Sequence, residues 1–424
     1  MLLPKGSPAP ARIRRYLESF SHWNGQSSFY PPAPATKVQK LTLGSVEVPR
    51  YQNEFWTSRQ RQAASIHEIS YRACFKPQLP HFFIELLTEP GQTVYDPFCG
   101  RGTTPIEAAL LGRRVLANDI NPLSEILARP RLSIPSPQEV AERLGRIKTV
   151  EGATAKLDLS MFFHPRTEAE IVSLRCYLME RRASGQEDDT DSWIRMVATN
   201  RLTGHSRGFF SVYTLPPNQA VSPARQRQIN AKLSQVPQYR NTREIILRKT
   251  RRLLCRLTSA QVQALRDAGK TAIFLTRDAR HTPEIPSGSV HLTVTSPPFL
   301  DVVQYPNDNW LRCWFNGIDQ DKVASSVTML RSLPRWEQFM AETLVELYRV
   351  TIPGGWVAFE VGDVKGGKVK LDEVVVPLGV SAGFSCVGVV VNSQRFTKTS
   401  NIWGVENQCK GTNTNRIVLF HKEG

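Results

Sequence analysis

The sequence predicts an α/β protein built on a doubly wound sheet, with a large helical insertion. Three observations lead there. A strand, a glycine-containing turn, a helix and a second strand follow one another within 93–119, the order of a βαβ unit in a parallel sheet. Apolar runs of strand length return at 271–275, 290–294, 356–361, 387–391 and 417–420, too continuous to leave one face in water. Between these two stretches, 123–270 reads as helices, interrupting the alternation of strand and helix.

Taken in order, residues 1–45 mix Arg12-Ile13-Arg14-Arg15 with Pro31, Pro32 and Pro34 and read as an irregular arm. A helix is expected over 56–72, broken by Phe75-Lys76-Pro77-Gln78-Leu79-Pro80 before a short helix at 81–88. The strand 93–96 leads into the turn Cys99-Gly100-Arg101-Gly102, a helix at 103–111 stopped by Gly112, and a strand at 115–117 ending on Asn118-Asp119. In the insertion, Ser136-Pro137 starts one helix and Ser222-Pro223 another; 166–182 and 243–257 read as helices, and 185–191 as an acidic loop. A helix at 336–351 ends at Pro353-Gly354-Gly355. The chain thus divides into the arm (1–45), one half of the sheet domain (46–122), the helical block (123–270) and the other half (271–424).

Composition narrows the function. With 41% hydrophobic and 22% charged residues the 424-residue chain is globular rather than disordered. Seven cysteines without a CxxC pair fit neither a disulfide framework nor a zinc site, so no metal is expected. The absence of an 18-residue apolar run and of an apolar signal core points to the cytoplasm and away from a membrane. The net charge is +16, and thirteen Lys or Arg face the single acid Glu244 between 195 and 256, placing +12 in that one stretch. Such a run is a solvated helical face or the contact surface for a polyanion.

Two motifs carry chemistry. In Asp96-Pro97-Phe98-Cys99-Gly100-Arg101-Gly102-Thr103 the glycines allow a tight turn and close approach of a ligand at the carboxyl end of a strand. The spacing is neither G-x-G-x-x-G nor a P-loop, which disfavours NAD and ATP. Asp119, at the end of the next strand, is placed to accept both hydroxyls of a ribose. In Thr295-Ser296-Pro297-Pro298-Phe299 the prolines remove two backbone donors, leaving carbonyls that only accept. A hydroxyl, acceptor carbonyls and an aromatic ring suit an NH2 group on a base. Each motif alone also fits a plain turn.

Together they resemble the DNA amino-methyltransferases, which form N4-methylcytosine or N6-methyladenine, over about 54–130 and 271–420. The resemblance implies a Rossmann-like sheet dependent on S-adenosylmethionine. Phe75 and Lys76 would pack the methionine end; Asp96, Phe98, Gly100, Gly102 and Thr103 would hold the methionine, Asp119 the ribose, and Asp278 and Ala279 the adenine. Ser296, Pro297, Pro298 and Phe299 would form the catalytic pocket for the target base. Serine in the first position is usual for the N4-cytosine enzymes and aspartate or asparagine for the N6-adenine ones.

An exocyclic amine is a weak nucleophile. Ser296 Oγ and the Pro297 carbonyl would accept its two N–H bonds and aim the nitrogen lone pair at the methyl group. A base flipped out of the duplex would stack on Phe299. The cytosine C5 enzymes use a cysteine in the catalytic loop; Cys99 lies in the cofactor loop and reads as packing. The expected partners are double-stranded DNA and a restriction endonuclease acting on the same site. DNA contacts are expected from Arg201, Arg207, Arg225, Arg227, Asn230 and Lys232, with Gln226 as a further base reader and 384–411 as a second recognition segment. An RNA guanine-N2 methyltransferase and a non-catalytic nucleic-acid-binding relative are the competing readings.

Overall fold

The computed structural model describes residues 8–21, 35–56, 63–71, 74–214, 220–298, 308–326, 332–364, 369–393 and 414–424. Its strands are β1 (Lys37–Leu43), β2 (Val46–Asn53), β3 (Thr93–Asp96), β4 (Arg114–Asn118), β5 (Ile273–Leu275), β6 (Val290–Thr295), β7 (Thr351–Val361), the small hairpin β8 (Asp363–Val364) and β9 (Val369–Lys370), β10 (Ser385–Ser393) and β11 (Thr414–His421). All but the hairpin join one sheet in the order β1-β2-β10-β11-β7-β6-β3-β4-β5. From β7 to β5 the neighbours are parallel; β11 runs antiparallel to both β7 and β10. The chain leaves β3 toward β4 and β5 on one side, whereas β6 and β7 build the other. The β3/β6 boundary is therefore a topological switch point, where such sheets open a cleft at their carboxyl edge.

Alternation along the strands divides the core in two. Val94, Val115, Leu292, Val294, Trp356 and Ala358 join one cluster; Tyr95, Leu116, Val290, Val357 and Phe359 join the other. Successive residues of a strand face opposite sides, so both faces of the sheet are covered. The helices are α1 (Pro10–Glu18), α2 (Gln78–Leu87), α3 (Thr103–Leu110), α4 (Leu123–Ala128), α5 (Pro137–Arg146), α6 (Pro165–Ala183), α7 (Asp189–Arg201), α8 (Pro223–Leu233), α9 (Thr242–Leu254), α10 (Ser259–Gly269), α11 (Trp310–Asn316), α12 (Gln320–Ser326), α13 (Leu333–Val350) and α14 (Leu371–Ser381). Val140, Phe162, Trp193 and Ile245 of the helical block share the first cluster with the sheet, so the block has no separate core. The second cluster is closed by Trp336 and Leu344 of α13 and Val375 of α14. Among the described residues no helix is long and apolar enough to cross a membrane.

Three expectations differ from the structure. The arm contains α1 and β1, and β1 pairs with β2, which itself adds in parallel to β10. The acidic loop is shorter than expected, because Asp188 caps α7 by accepting from the Asp191 amide. In 56–72 the described residues form only a 3-10 turn, Ser65–His67. Their carbonyls are taken by side chains from elsewhere: Ile66 by Arg131, Glu68 by Lys249, Ile69 by Arg101, and Ser70 by Asn200 and Arg312. Carbonyls engaged this way are not bonding within a helix.

The same segment is pinned to α3 by a buried carboxylate. Glu107 accepts from His67 Nε2 at 2.6 Å and from His81 Nδ1 at 2.9 Å. Burial pushes the Glu107 carboxyl up, but hydrogen bonds from the two imidazoles outweigh it and hold it down at about 2. Hydrogen bonds to Glu107 and Glu85 raise His81 to about 10. Removing one partner strands the others in a dry site. Glu107→Leu should therefore cost roughly 3–5 kcal/mol in denaturant unfolding; a loss under 1 kcal/mol would contradict this role.

Candidate active site

The turn after β3 is built around two left-handed glycines. Gly100 and Gly102 adopt φ of +53° and +82°, which L side chains rarely do. A Cβ on Gly102 would also lie 2.5 Å from Ala128 Cβ. Arg131, fully buried, donates to the Arg101 carbonyl and braces the turn from below. Arg101 donates to the carbonyls of Ile69 (2.9 Å) and Phe75 (3.4 Å) and to Thr103 Oγ1 (3.2 Å), tying Ile69 and Phe75 to the loop.

Above this turn lies a cleft open to solvent, at the carboxyl edge of the sheet where such folds bind small molecules. Phe75, Asp96, Phe98, Gly100, Thr103, Asp119, Asp278, Ala279, Ser296 and Pro298 all line it. Asp119 is oriented by the amides of Gly100 (2.8 Å) and Asn121 (2.9 Å). Burial raises its carboxyl above the ordinary value. Asp278 is held by the Arg280 guanidinium at 2.7 Å, which keeps its carboxyl ionised. Gly102 and Pro297 support the site from outside the lining, Lys76 is exposed and also outside it, and Phe299 lies outside the described residues.

Among the lining residues that were not legible in the sequence are Tyr71, Ile120, Asn121 and Phe339. Tyr71 comes from the segment held by Arg101. Phe339 of α13 faces Phe98 at 6.3 Å and carries Arg280 over its ring at 4.9 Å. Ile120 and Asn121 follow Asp119. Asn121 Oδ1 accepts from the Leu123 amide at 3.1 Å, and its buried Nδ2 has no hydrogen-bond partner. A buried donor of this kind facing a cleft calls for an acceptor on a ligand.

The two motifs are physically joined. Thr295 Oγ1 donates to Asp96 Oδ1 at 2.7 Å, bridging the ends of β6 and β3. Trp336 Nε1 donates to the Pro298 carbonyl at 2.9 Å, fixing the proline turn while the Pro297 carbonyl keeps its own direction. The Ser296 hydroxyl hydrogen bonds to Glu360, near the end of β7. Asn415 donates to the same carboxyl. Burial pushes Glu360 up to about 7 against both bonds. Nothing in the strand 356–361 marked Glu360 in advance, because one acid in an apolar run reads as a strand end. Cys99 is buried, and burial pushes its thiol well up, as fits packing rather than nucleophilic use.

Burial likewise raises Asp96 to about 7, from 3.8, despite the Thr295 and Phe98 hydrogen bonds. The folded protein thus keeps a proton that the unfolded chain releases near pH 4, so this carboxyl makes stability fall as pH rises from about 4 to 7. Comparing Asp96→Asn with the parent cancels the other titrating groups. The variant should gain on the parent by on the order of 2–4 kcal/mol across that window in the absence of ligand. A constant difference from pH 4 to 8 in thermal unfolding would refute it.

The basic block is less exposed than its charge suggests. Of the thirteen cations, Arg195, Arg201 and Lys249 are buried. Arg201 is 8% exposed, donates to Asn200 and stacks on Phe209 at 4.0 Å, so it is not presented to DNA. Asn230 is spent on the Met161 carbonyl and on the amides of Gln226 and Gln235; Gln226 is fully buried. Both hold α8 in place rather than reading bases. Arg207, Arg225, Arg227 and Lys232 are exposed. In the second recognition segment 385–393 is β10, and 394–411 lies outside the described residues. Among the described residues no group of three or more His, Cys, Asp or Glu is placed to hold a metal.

A sheet of this order with a cleft at its switch point and a Ser-Pro-Pro loop beside it defines a methyltransferase-type α/β fold. A family model described as DNA methylase, of the N6/N4 type, matches residues 20–126. The Type II methyltransferase M.BsoBI of Geobacillus stearothermophilus is 22% identical over 342 residues, 72% of this chain and 63% of that protein. M.MvaI of Kocuria varians, also a Type II methyltransferase, is 32% identical over 81 residues, 18% of each chain. The chain therefore spans less than two thirds of the length of these relatives. Among solved structures, TrmN from Thermus thermophilus is 16% identical with a TM-score of 0.30, covering 86% of this chain and 52% of that one. These matches make the chain similar to DNA amino-methyltransferases, most directly over residues 20–126.

Proposed function

We propose that the protein transfers a methyl group from S-adenosylmethionine to the N4 amino group of a cytosine flipped out of double-stranded DNA. The observation that carries this reading is Ser296 at the head of the proline loop, hydrogen bonded to the buried Glu360 and joined through Thr295 to the cofactor loop.

The residues fit the cofactor. Asn121 Nδ2 supplies the unsatisfied donor, Asp119 the carboxylate for two hydroxyls, Phe98 and Phe339 the apolar walls, and the glycine turn the space beside the backbone. When bound, S-adenosylmethionine supplies an electrophilic sulfonium methyl group. Ser296 donates its proton to Glu360, which leaves its lone pairs free to accept one amine N–H. The Pro297 carbonyl accepts the other. With both N–H bonds fixed, the nitrogen lone pair turns toward the cleft. As the methyl carbon would part from sulfur and join nitrogen, the surplus proton would leave nitrogen for Ser296 Oγ while the serine proton passes to Glu360. Burial suits Glu360 to this role: a carboxyl near 7 takes a proton more readily than an exposed one.

Phosphate contacts come from exposed cations of the helical block such as Arg207 and Arg248, and the reading implies a cytoplasmic protein associated with DNA. A restriction endonuclease with the same site is the partner it suggests. The test is direct: incubate the protein with labelled S-adenosylmethionine and DNA or RNA, digest to nucleosides, and identify the labelled one. N4-methylcytosine from DNA is expected. N6-methyladenine would reassign the base, and label confined to RNA would overturn the reading.

A further inference from the structure

We propose that α8 is the helix that reads base edges in the major groove beside the target cytosine, with Arg225 and Gln228 as its specificity-determining pair. This rests on the DNA reading above and adds the element and residues that select the sequence.

The first support is position. The Ala220 amide donates to the Asp308 carbonyl at 3.0 Å, and Trp310 Nε1 donates to the Val221 carbonyl at 3.2 Å. The segment entering α8 is thereby fastened to Asp308 and Trp310, ten and twelve positions after Pro298 in the sequence.

The second is rigidity. Ser222 caps α8 by accepting from the Arg225 amide at 3.3 Å. Its inner face is held by neutral amides: Gln226 and Gln235 both donate to the Tyr213 carbonyl, at 3.0 and 2.9 Å, and Asn230 donates to Met161 at 2.8 Å. Reading side chains need a fixed base, and these bonds supply one without spending a charge.

The third is the outward face. Ala224, Arg225, Arg227, Gln228, Ala231 and Lys232 are exposed, and α8 contains no acid. Arg227 pairs with Asp158 at 2.7 Å. Arg225 Nη1 donates to Gln228 Oε1 at 3.0 Å, so a guanidinium and a carboxamide lie side by side. These are the groups that pair bidentately with guanine O6/N7 and adenine N6/N7, and the small alanines let the helix approach the bases closely. At and just past the end of the helix, Leu233, Val236 and Tyr239 are three of the eight exposed large hydrophobics among the described residues. Apolar side chains beside a basic helix fit thymine methyls rather than bare phosphates.

The experiment uses the full chain, labelled S-adenosylmethionine and a pool of duplexes randomised in sequence, with methylated products sequenced. The parent defines its site. Arg225→Ala and Gln228→Ala should each relax one base position, lowering discrimination there roughly 10- to 100-fold, with affinity for S-adenosylmethionine unchanged. Arg248→Ala, on α9, should weaken all sequences alike. If Arg225→Ala and Gln228→Ala keep the parent's preferences within threefold, whatever their overall rate, α8 is not the reading helix, even though DNA methylation stands. If the parent methylates no duplex at all, the DNA reading fails and this assignment with it. The two failures are distinct.

Discussion

Gly102→Ala should destabilise the protein by roughly 2–5 kcal/mol and abolish measurable binding of S-adenosylmethionine. Two separate costs add at this position. An alanine held at φ +82° is strained by about 1–2 kcal/mol. Its Cβ would lie 2.5 Å from Ala128 Cβ, 3.3 Å from Ala128 Cα and 3.0 Å from Arg131 Nη2. Ala128 has no far end to swing away, and Arg131 is fully buried and braces the loop backbone. Overpacking of that kind costs about 1–3 kcal/mol more. Relief can come only from lifting the turn off α4, which displaces the Gly100 amide from Asp119. Gly100→Ala is the control. It shares a positive φ, +53°, but its nearest neighbour would be 3.6 Å away, so only the backbone strain of about 1–2 kcal/mol applies. Thermal unfolding and cofactor titration of the two variants check the difference. Equal losses would show that packing against Ala128 does not matter.

That contrast also shows what a sequence can reveal. The strand, glycine turn, helix and strand at 93–119 were legible because their signals are local: each glycine and apolar run lies within a few residues of the element it shapes. Asp96, Gly100, Thr103 and Asp119 therefore come together along one cleft, and the parallel β3/β6 pairing brings Ser296 to the same edge. What escaped is non-local. Phe339, Trp336 and Glu360 reach the site from α13 and β7, where the apolar pattern around them reads as ordinary core. The 56–72 segment has helical periodicity, yet its carbonyls are bonded by side chains of Arg101, Arg131, Asn200, Lys249 and Arg312, from up to 242 positions away. Charge misled in the other direction. Arg201 counted toward a surface for DNA, but its neighbours Phe209 and Asn200 draw it inside.

Ser296→Ala should lower kcat by about 10²- to 10³-fold while leaving affinity for S-adenosylmethionine within a factor of two or three of the parent. In the proposed reaction the hydroxyl accepts one amine N–H and sits between the amine and Glu360, so its loss would remove an interaction that strengthens as the nitrogen becomes tetrahedral. The contacts proposed for the cofactor, around Asp119, Asn121 and the glycine turn, do not involve this hydroxyl. Glu360→Gln separates the two duties of Ser296. A glutamine preserves shape and still accepts from the hydroxyl, but it cannot take a proton. With its carboxyl near 7, Glu360 accepts a proton only when ionised, so kcat of the parent should rise with pH through about 7 and level off above it. In Glu360→Gln that rise should be absent and the plateau lower by about 10- to 100-fold. Asp96 also titrates near 7, but it lines the cofactor cleft and bonds Thr295, so its ionisation should appear in KM for the cofactor rather than in kcat. A kcat limb that persists unchanged in Glu360→Gln would remove Glu360 from the reaction and leave Ser296 acting by position alone.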